Sequence, residues 1–401
     1  MVRIFLAFAF TYFFSALLRA VTATLAPAFS SELGLGAADL GLLAGVYFLG
    51  FAAMQLPLGM ALDRIGPRRV LLALLALAVL GCAGFALARS LGSLALARAL
   101  IGVGVSAALM APLTFYRWHF SPGAQMRANA WMLMTGSLGM LASTLPVQWL
   151  LPVWGWRGLF WAVAALLLLA MAVLRWVLPP DAAPTPGPTQ AGTGYGQIWR
   201  HPLFLRLLPM AFFSYGGMIA VQALWAGPWL TQVAGQPAQQ AAEGLFIINL
   251  AMLLAFLAWG LCMPGLVRRG WHAERLMRWG LPLHLGLLAW NLWLGPQAGA
   301  WHWAAWCVSC TFTSLSQPAV GQAFPSALAG RALSAFNLVI FLGVFAVQWG
   351  LGLLVDAFLP AAGAALPAYR AAFAVWGALA LASYLWLLWA TPDRLGAQTC
   401  P

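Results

Sequence analysis

Apolar residues run along this chain in long blocks, and polar residues are confined to short gaps between them. A helix needs roughly 20 residues to cross a bilayer. On that measure the blocks predict twelve spans, at 4–27, 39–60, 70–88, 92–114, 127–151, 157–178, 203–231, 242–263, 276–295, 301–324, 331–356 and 367–390. The first block is too long for the apolar core of a signal peptide, and further spans follow, so it is expected to stay as a helix. The gaps differ in charge. With a cytoplasmic first residue, the inner side holds Arg3, Arg64, Arg68, Arg69, Arg117, Arg127, Arg175, Arg200, Arg206, Arg268, Arg269, Arg275, Arg278, Arg331 and Arg394. The outer side holds Arg89, Arg157 and Arg370, together with Glu32, Asp39, Glu243 and Asp356. Fifteen arginines against three place both termini in the cytoplasm. One gap reads as a linker: residues 179–202, rich in Pro, Gly, Thr and Ala, separate a bundle at 1–178 from a second at 203–401.

The two bundles echo each other. Pro27 and Pro228 stand 201 residues apart, as do Gly59 and Gly260, and Arg68-Arg69 is answered by Arg268-Arg269. Arg127 and Gly139 match Arg331 and Gly343, each 204 residues on. Trp156-Arg157-Gly158-Leu159-Phe160 before the sixth span is echoed by Tyr369-Arg370-Ala371-Ala372-Phe373 before the twelfth. The repeat predicts an all-α integral membrane fold of twelve transmembrane helices in two pseudo-symmetric six-helix bundles.

Composition narrows the classes. At 63% hydrophobic and 7% charged, the chain has too few charges to cover a water-exposed surface. A net charge of +12 invites nucleic acid, but all 20 basic residues are arginines, and fifteen of them fall in alternate gaps. That is an orientation signal, so nucleic acid is rejected as a partner. Cys307 and Cys310 have the spacing of a redox or zinc pair, yet they lie in a span without a partner set and read as small-residue packing. No metal or cofactor is expected.

The most informative gap reads Gly59-Met60-Ala61-Leu62-Asp63-Arg64-Ile65-Gly66-Pro67-Arg68-Arg69. Gly59 permits a close helix approach, Asp63 can take charge-assisted bonds from arginines or a facing helix N-terminus, and Gly66 makes the turn. The pattern resembles the signature loop of the major facilitator superfamily. Arg98-Ala99-Leu100-Ile101-Gly102-Val103-Gly104 likewise resembles that family's pattern in its fourth helix. The resemblance implies a transporter that alternates access by rocking two halves. Gly59, Asp63, Arg64, Gly66, Arg68 and Arg69 would then form a conformational latch, which packs on the second half only when the outside is open. Two departures matter. Pro264 stands where Asp63 would recur, so only the first copy keeps a charged lock. The fifth span reads Gly136-Ser137-Leu138-Gly139-Met140, with Pro146 displaced, and lacks the Gly-Pro antiporter signature, which counts against proton-coupled drug efflux.

Arg19 lies fifteen residues past Ile4, or ~22 Å along a helix that crosses a core of ~30 Å. An arginine at that depth costs at least ~2.5 kcal/mol unless it faces protein or water. Thr11, Ser15, Arg19 and Thr22 form one stripe. In the resembled family, helices one, four, seven and ten line the central cavity. Two readings stand: Arg19 binds an anionic substrate group, or it snorkels outward and braces carbonyls. Arg98, at similar depth, is a second arm of the anion site or a brace. Ala220 occupies the position matching Arg19 in the second half, which offers instead Tyr215, Gln222 and Trp225, then Asn249, Gln317, Asn337 and Gln348. Phe341 shares the Asn337 stripe. Each polar residue alone serves equally as interhelical glue. Together they suggest a cavity cationic on one side and neutral on the other, suited to an amphipathic organic anion.

No Asp or Glu lies deep in a span, so no proton carrier is identified. His284 reads as structural and His119 as solvated. A membrane enzyme would need clustered acids or histidines, and the five histidines are scattered. A substrate sensor would append a soluble domain. The expectation is a monomeric multi-pass transporter in bacterial inner-membrane lipid, carrying a small organic solute. The alternative is efflux of neutral or cationic lipophiles, with Arg19 structural.

Overall fold

Long blocks rich in Leu and Ala favour helix, and in a bilayer only a helix or a closed barrel satisfies its own backbone. The computed structural model describes residues 1–181 and 195–390, and every regular element among them is helical. The linker expected at 179–202 falls largely outside the described residues, as does Cys400.

The helices run in order as α1 (Val2–Leu33), α2 (Ala37–Ala53 continued by Gln55–Ile65, bent by 45°), α3 (Pro67–Leu87) and α4 (Leu91–His119). Next, α5 begins with Pro122–Ala142 and continues into Leu145–Val177, whose backbone breaks at Gly155 with φ 60°; the part after the break is α6. After a short helix at Tyr195–Arg200 come α7 (Pro202–Val233), α8 (Ala238–Arg268) and α9 (Ala273–Leu294). The last three are α10 (Ala300–Cys310 through a 3₁₀ turn to Ser316–Ala323), α11 (Ser326–Ala362) and α12 (Ala365–Trp389). Among the described residues, eight helices are long and apolar enough to cross a membrane, or nine with the bent α2 taken as one span. The start of α5, α9 and α10 fall short because they are interrupted or carry polar and charged residues such as Arg127, Glu274 and Arg275.

The sequence repeat reappears as matched contacts. A Cβ at Gly139 would sit 2.2 Å from the Phe13 carbonyl oxygen, and one at Gly343 would sit 2.2 Å from that of Phe212. Only glycine lets α5 approach α1, and α11 approach α7, so closely. The aromatic-arginine pairs also match. Trp156 donates to Glu32 at the end of α1 (2.6 Å), and Arg157 to the Ala88 carbonyl after α3 (3.2 Å). Tyr369 donates to Gln232 at the end of α7 (2.9 Å), and Arg370 to the Leu292 carbonyl at the end of α9 (2.7 Å).

The halves meet most closely where the start of α2 lies along the end of α11. A Cβ at Gly41 would fall 2.4 Å from the Gln348 carbonyl oxygen, and one at Gly352 would fall 2.4 Å from that of Ala37. Asp356 of α11 closes this seam by accepting the backbone N–H groups of Ala37 (3.2 Å) and Ala38 (2.8 Å). Those are orphan donors of the α2 N-terminus, where helix polarity also favours a carboxylate. The opposite end lacks such close glycine contacts between the halves among the described residues. Gly59, Gly260 and Gly265 have no atom within 4 Å of the position a Cβ would take. The fully buried residues of α8 stop at Met252, and its second half is held more loosely, through Trp259 against Thr311 and Phe312 of α10.

Candidate functional site

Between these two ends, α1 places Arg19 at the boundary of the two halves. Its stripe divides. Thr11 turns its hydroxyl back to the Ala7 carbonyl (3.0 Å), and Ser15 turns to Val105 of α4 (3.5 Å). Thr11, Ser15 and Thr22 are buried, so Arg19 is the stripe's only partly exposed member. No carboxylate among the described residues pairs with it, and its Nε is buried without a partner.

What surrounds the guanidinium is aromatic. It lies 5.5 Å from the centre of the Phe51 ring. Tyr47 of α2, Tyr12 of α1 and Tyr215 of α7 lie within electrostatic range of it. Phe51 in turn meets Phe341 of α11 edge to face, with ring centres 4.7 Å apart. One cation from the first half is thus ringed by side chains from both halves.

Arg98 stands behind this site. It is fully buried, donates to the Leu18 carbonyl at 2.9 Å and stacks 4.8 Å over Tyr47. It grips the backbone one residue before Arg19 and the tyrosine that faces Arg19, and it reaches no open surface.

The neutral residues named from sequence fall into separate pairs. Gln222 donates to Asn249 (3.0 Å), and Gln317 to Asn337 (2.7 Å). The Trp225 indole donates to the Gln348 carbonyl (3.2 Å) within the seam. The Gln348 side chain is fully buried there, and neither its oxygen nor its nitrogen has a partner among the described residues. Of the ten candidates, then, Arg19 and Tyr215 share the site, and Ser15 and Arg98 support it from behind. Tyr12, Tyr47 and Phe51 were missed. Tyr12 lies seven residues before Arg19, two turns along the same face, which is a legible signal. Tyr47 and Phe51 sit on α2, outside the four helices taken as cavity-lining.

The latch residues are engaged within their own half. Asp63 pairs with Arg117 at the end of α4 (3.3 Å), both side chains well exposed. Asp181 accepts the N–H groups of Arg68 (3.1 Å) and Arg69 (2.8 Å), and Arg68 donates to the Arg175 carbonyl (2.6 Å). The open space around Gly59 shows that the approach it permits is unused in this conformation.

The chain is similar in sequence to three bacterial proteins over part of its length. It is 32% identical over 151 residues to the inner membrane transport protein YajR of Escherichia coli, covering 36% of this chain and 32% of that protein. It is 29% identical over 164 residues to a gallate transporter of Pseudomonas putida, covering 41% and 36%. It is 29% identical over 158 residues to the 4-hydroxybenzoate transporter PcaK of Acinetobacter baylyi, covering 37% and 34%. The matched stretch spans about a third of each relative's length. In structure it resembles a D-xylose–proton symporter, with TM-score 0.78, 15% identity and 99% of both chains covered. It also resembles a bacterial homologue of the lysosomal transporter Spinster in an inward-facing, unoccupied conformation, with TM-score 0.70, 18% identity and coverage of 98% and 95%. These neighbours imply a twelve-helix, two-domain fold. The Major Facilitator Superfamily model matches residues 8–348, and the chain belongs to that superfamily.

Proposed function

We propose that this protein is a secondary transporter that carries a small organic anion across a bacterial inner membrane. Residues 1–178 and 203–401 would act as the two rocking bodies, and Arg19 as the contact for the anionic group. The observation that carries the reading is Arg19 itself, a partly exposed cation between the halves with no acid paired to it among the described residues. Two partial relatives, named for gallate and 4-hydroxybenzoate, carry carboxylates and support the same charge. The arginine distribution puts both termini inside, so the sealed Gly36 end faces outward and this conformation is open to the cytoplasm. Exposed tryptophans such as Trp149, Trp176, Trp279 and Trp301 suit contact with membrane lipid.

The mechanism follows from desolvation. Closing both ends at once removes water from Arg19, and an unpaired buried charge is costly. A substrate carboxylate offsets that cost, so the doubly closed intermediate forms readily only when loaded. The Gly59–Arg69 loop would engage the second half when the outer seam parts. Gln222, Asn249, Gln317 and Asn337 serve as interhelical bonds in this conformation and become available where those pairs separate. Efflux of neutral or cationic lipophiles is the second reading, favoured by the stacking of Arg19 on Phe51 as a structural cation–π contact.

A thermal-shift screen against organic anions, cations and neutral compounds, run beside Arg19→Gln, separates the two. A ligand at 100 times its dissociation constant adds about 2.7 kcal/mol of stability. Anions are expected to stabilise the wild type, with affinity roughly ten- to a hundredfold weaker in Arg19→Gln. Stabilisation by cations or neutral lipophiles alone, equal in both proteins, assigns Arg19 to structure.

A further inference from the structure

We infer that the site selects a carboxylate carried on an aromatic ring, with Phe51 and Phe341 as the walls that read the ring; this rests on the proposal that Arg19 holds the anion. Phe51 belongs to α2 of the first half and Phe341 to α11 of the second. The Phe51 ring lies 5.5 Å from the Arg19 guanidinium, and Phe341 meets Phe51 edge to face at 4.7 Å. Phe48 extends the group by stacking on Phe341 at 6.1 Å. The cation is therefore flanked by an aromatic cluster whose rings come from both halves.

A guanidinium takes a carboxylate in its own plane through two parallel hydrogen bonds. In an aryl carboxylate, conjugation holds the ring close to the carboxylate plane, so fixing the carboxylate also fixes the ring. Phe51 and Phe341 then meet that ring with the offset and edge-to-face geometries that aromatic pairs prefer. An aliphatic chain of the same volume gains burial but no such complementarity, and it must also give up rotamer freedom. Tyr12 and Tyr215, the first from α1 and the second from α7, lie within electrostatic range of the same guanidinium. Because the two phenylalanines come from opposite halves, a ring packed on both is held by contacts that exist only while the halves meet there. Ring recognition and domain closure are thus read by the same pair.

Benzoate and cyclohexanecarboxylate provide matched probes, alike in charge and close in size but differing in π character. Their affinities are to be measured on the purified full chain, wild type, Phe51→Leu, Phe341→Leu, Phe341→Tyr and Arg19→Gln. Wild type is expected to prefer benzoate about five- to tenfold, the scale of one or two aromatic contacts. Phe341→Leu should bring the ratio close to one, Phe341→Tyr should restore it, and Arg19→Gln should weaken both acids. A wild-type ratio near one, or a preference that persists in both leucine variants, overturns the ring-reading inference while leaving the anion site intact. Failure of wild type to bind either acid overturns the anion site, and the inference with it.

Discussion

The two ends of α2 carry the same chemical device and use it for opposite purposes. At the start of the helix, Ala37 and Ala38 donate their backbone N–H groups to Asp356, which belongs to the other half. Just past its end, the N–H groups of Arg68 and Arg69 are held by Asp181, in the stretch that directly follows the first half. Each is a carboxylate on a helix N-terminus, where unpaired donors and the helix dipole favour negative charge. On the proposed mechanism the first clasp joins bodies that part during transport, whereas the second shapes a loop beside one of them. The same bond can therefore act as a gate or as scaffolding, depending on which side of the domain boundary its acid stands.

Four substitutions test that contrast. The largest effect is expected from Gly41→Leu, whose side chain would intrude where a Cβ already lies 2.4 Å from the Gln348 carbonyl oxygen. Overpacking of this kind costs about 1–3 kcal/mol. It should hold the outer seam apart, and double electron–electron resonance between labels on the two halves should report longer outer distances. Outer distances that match the wild type would show that the glycine seam is not what closes this end.

Asp356→Asn comes second. It removes the charge and one of two acceptors, worth about 1 kcal/mol at a half-exposed site. The outward-open population should rise roughly fivefold at that energy, while Asp181→Asn should lower melting temperature without moving the outer distances. Equal distance changes from both aspartates would erase the distinction between gate and scaffold. The smallest change to this conformation should come from Asp63→Asn, since the exposed pair with Arg117 is worth roughly 0–1 kcal/mol. Melting should be nearly unchanged while turnover in proteoliposomes slows, because the latch acts in the opposite state. Unaltered turnover would remove the latch.

Much of this architecture is legible from sequence because it rests on local rules. Apolar block length gives spans, and the offset of 204 between Gly139 and Gly343 anticipated two glycines doing the same job. The echo of Trp156-Arg157 in Tyr369-Arg370 likewise proved to be an echo of contacts. The site was only half legible. Helical periodicity says which residues share a face, but not which helix that face will meet. Tyr47 and Phe51 therefore stayed hidden on α2 until its packing on α1, α4 and α11 was known. Asp356 read as an outer-loop acid for the same reason. The amides illustrate a second limit. Gln222 and Asn249 have the valences of ligand contacts, yet Gln222 donates across the helix pair to Asn249, which donates in turn to the Leu245 carbonyl, and composition cannot distinguish those uses.

Gln348 has a consequence for timing. Its amide is shut into the closed seam with neither polar atom bonded among the described residues. A buried polar group left unmatched costs about 1–3 kcal/mol, which is recovered when water returns. Each opening of the outer end therefore relieves a tension that each closing restores. The glycine zipper alone would make a tight, long-lived door. With an unmatched amide behind it, the same seam would have a shortened closed dwell time in the proposed cycle.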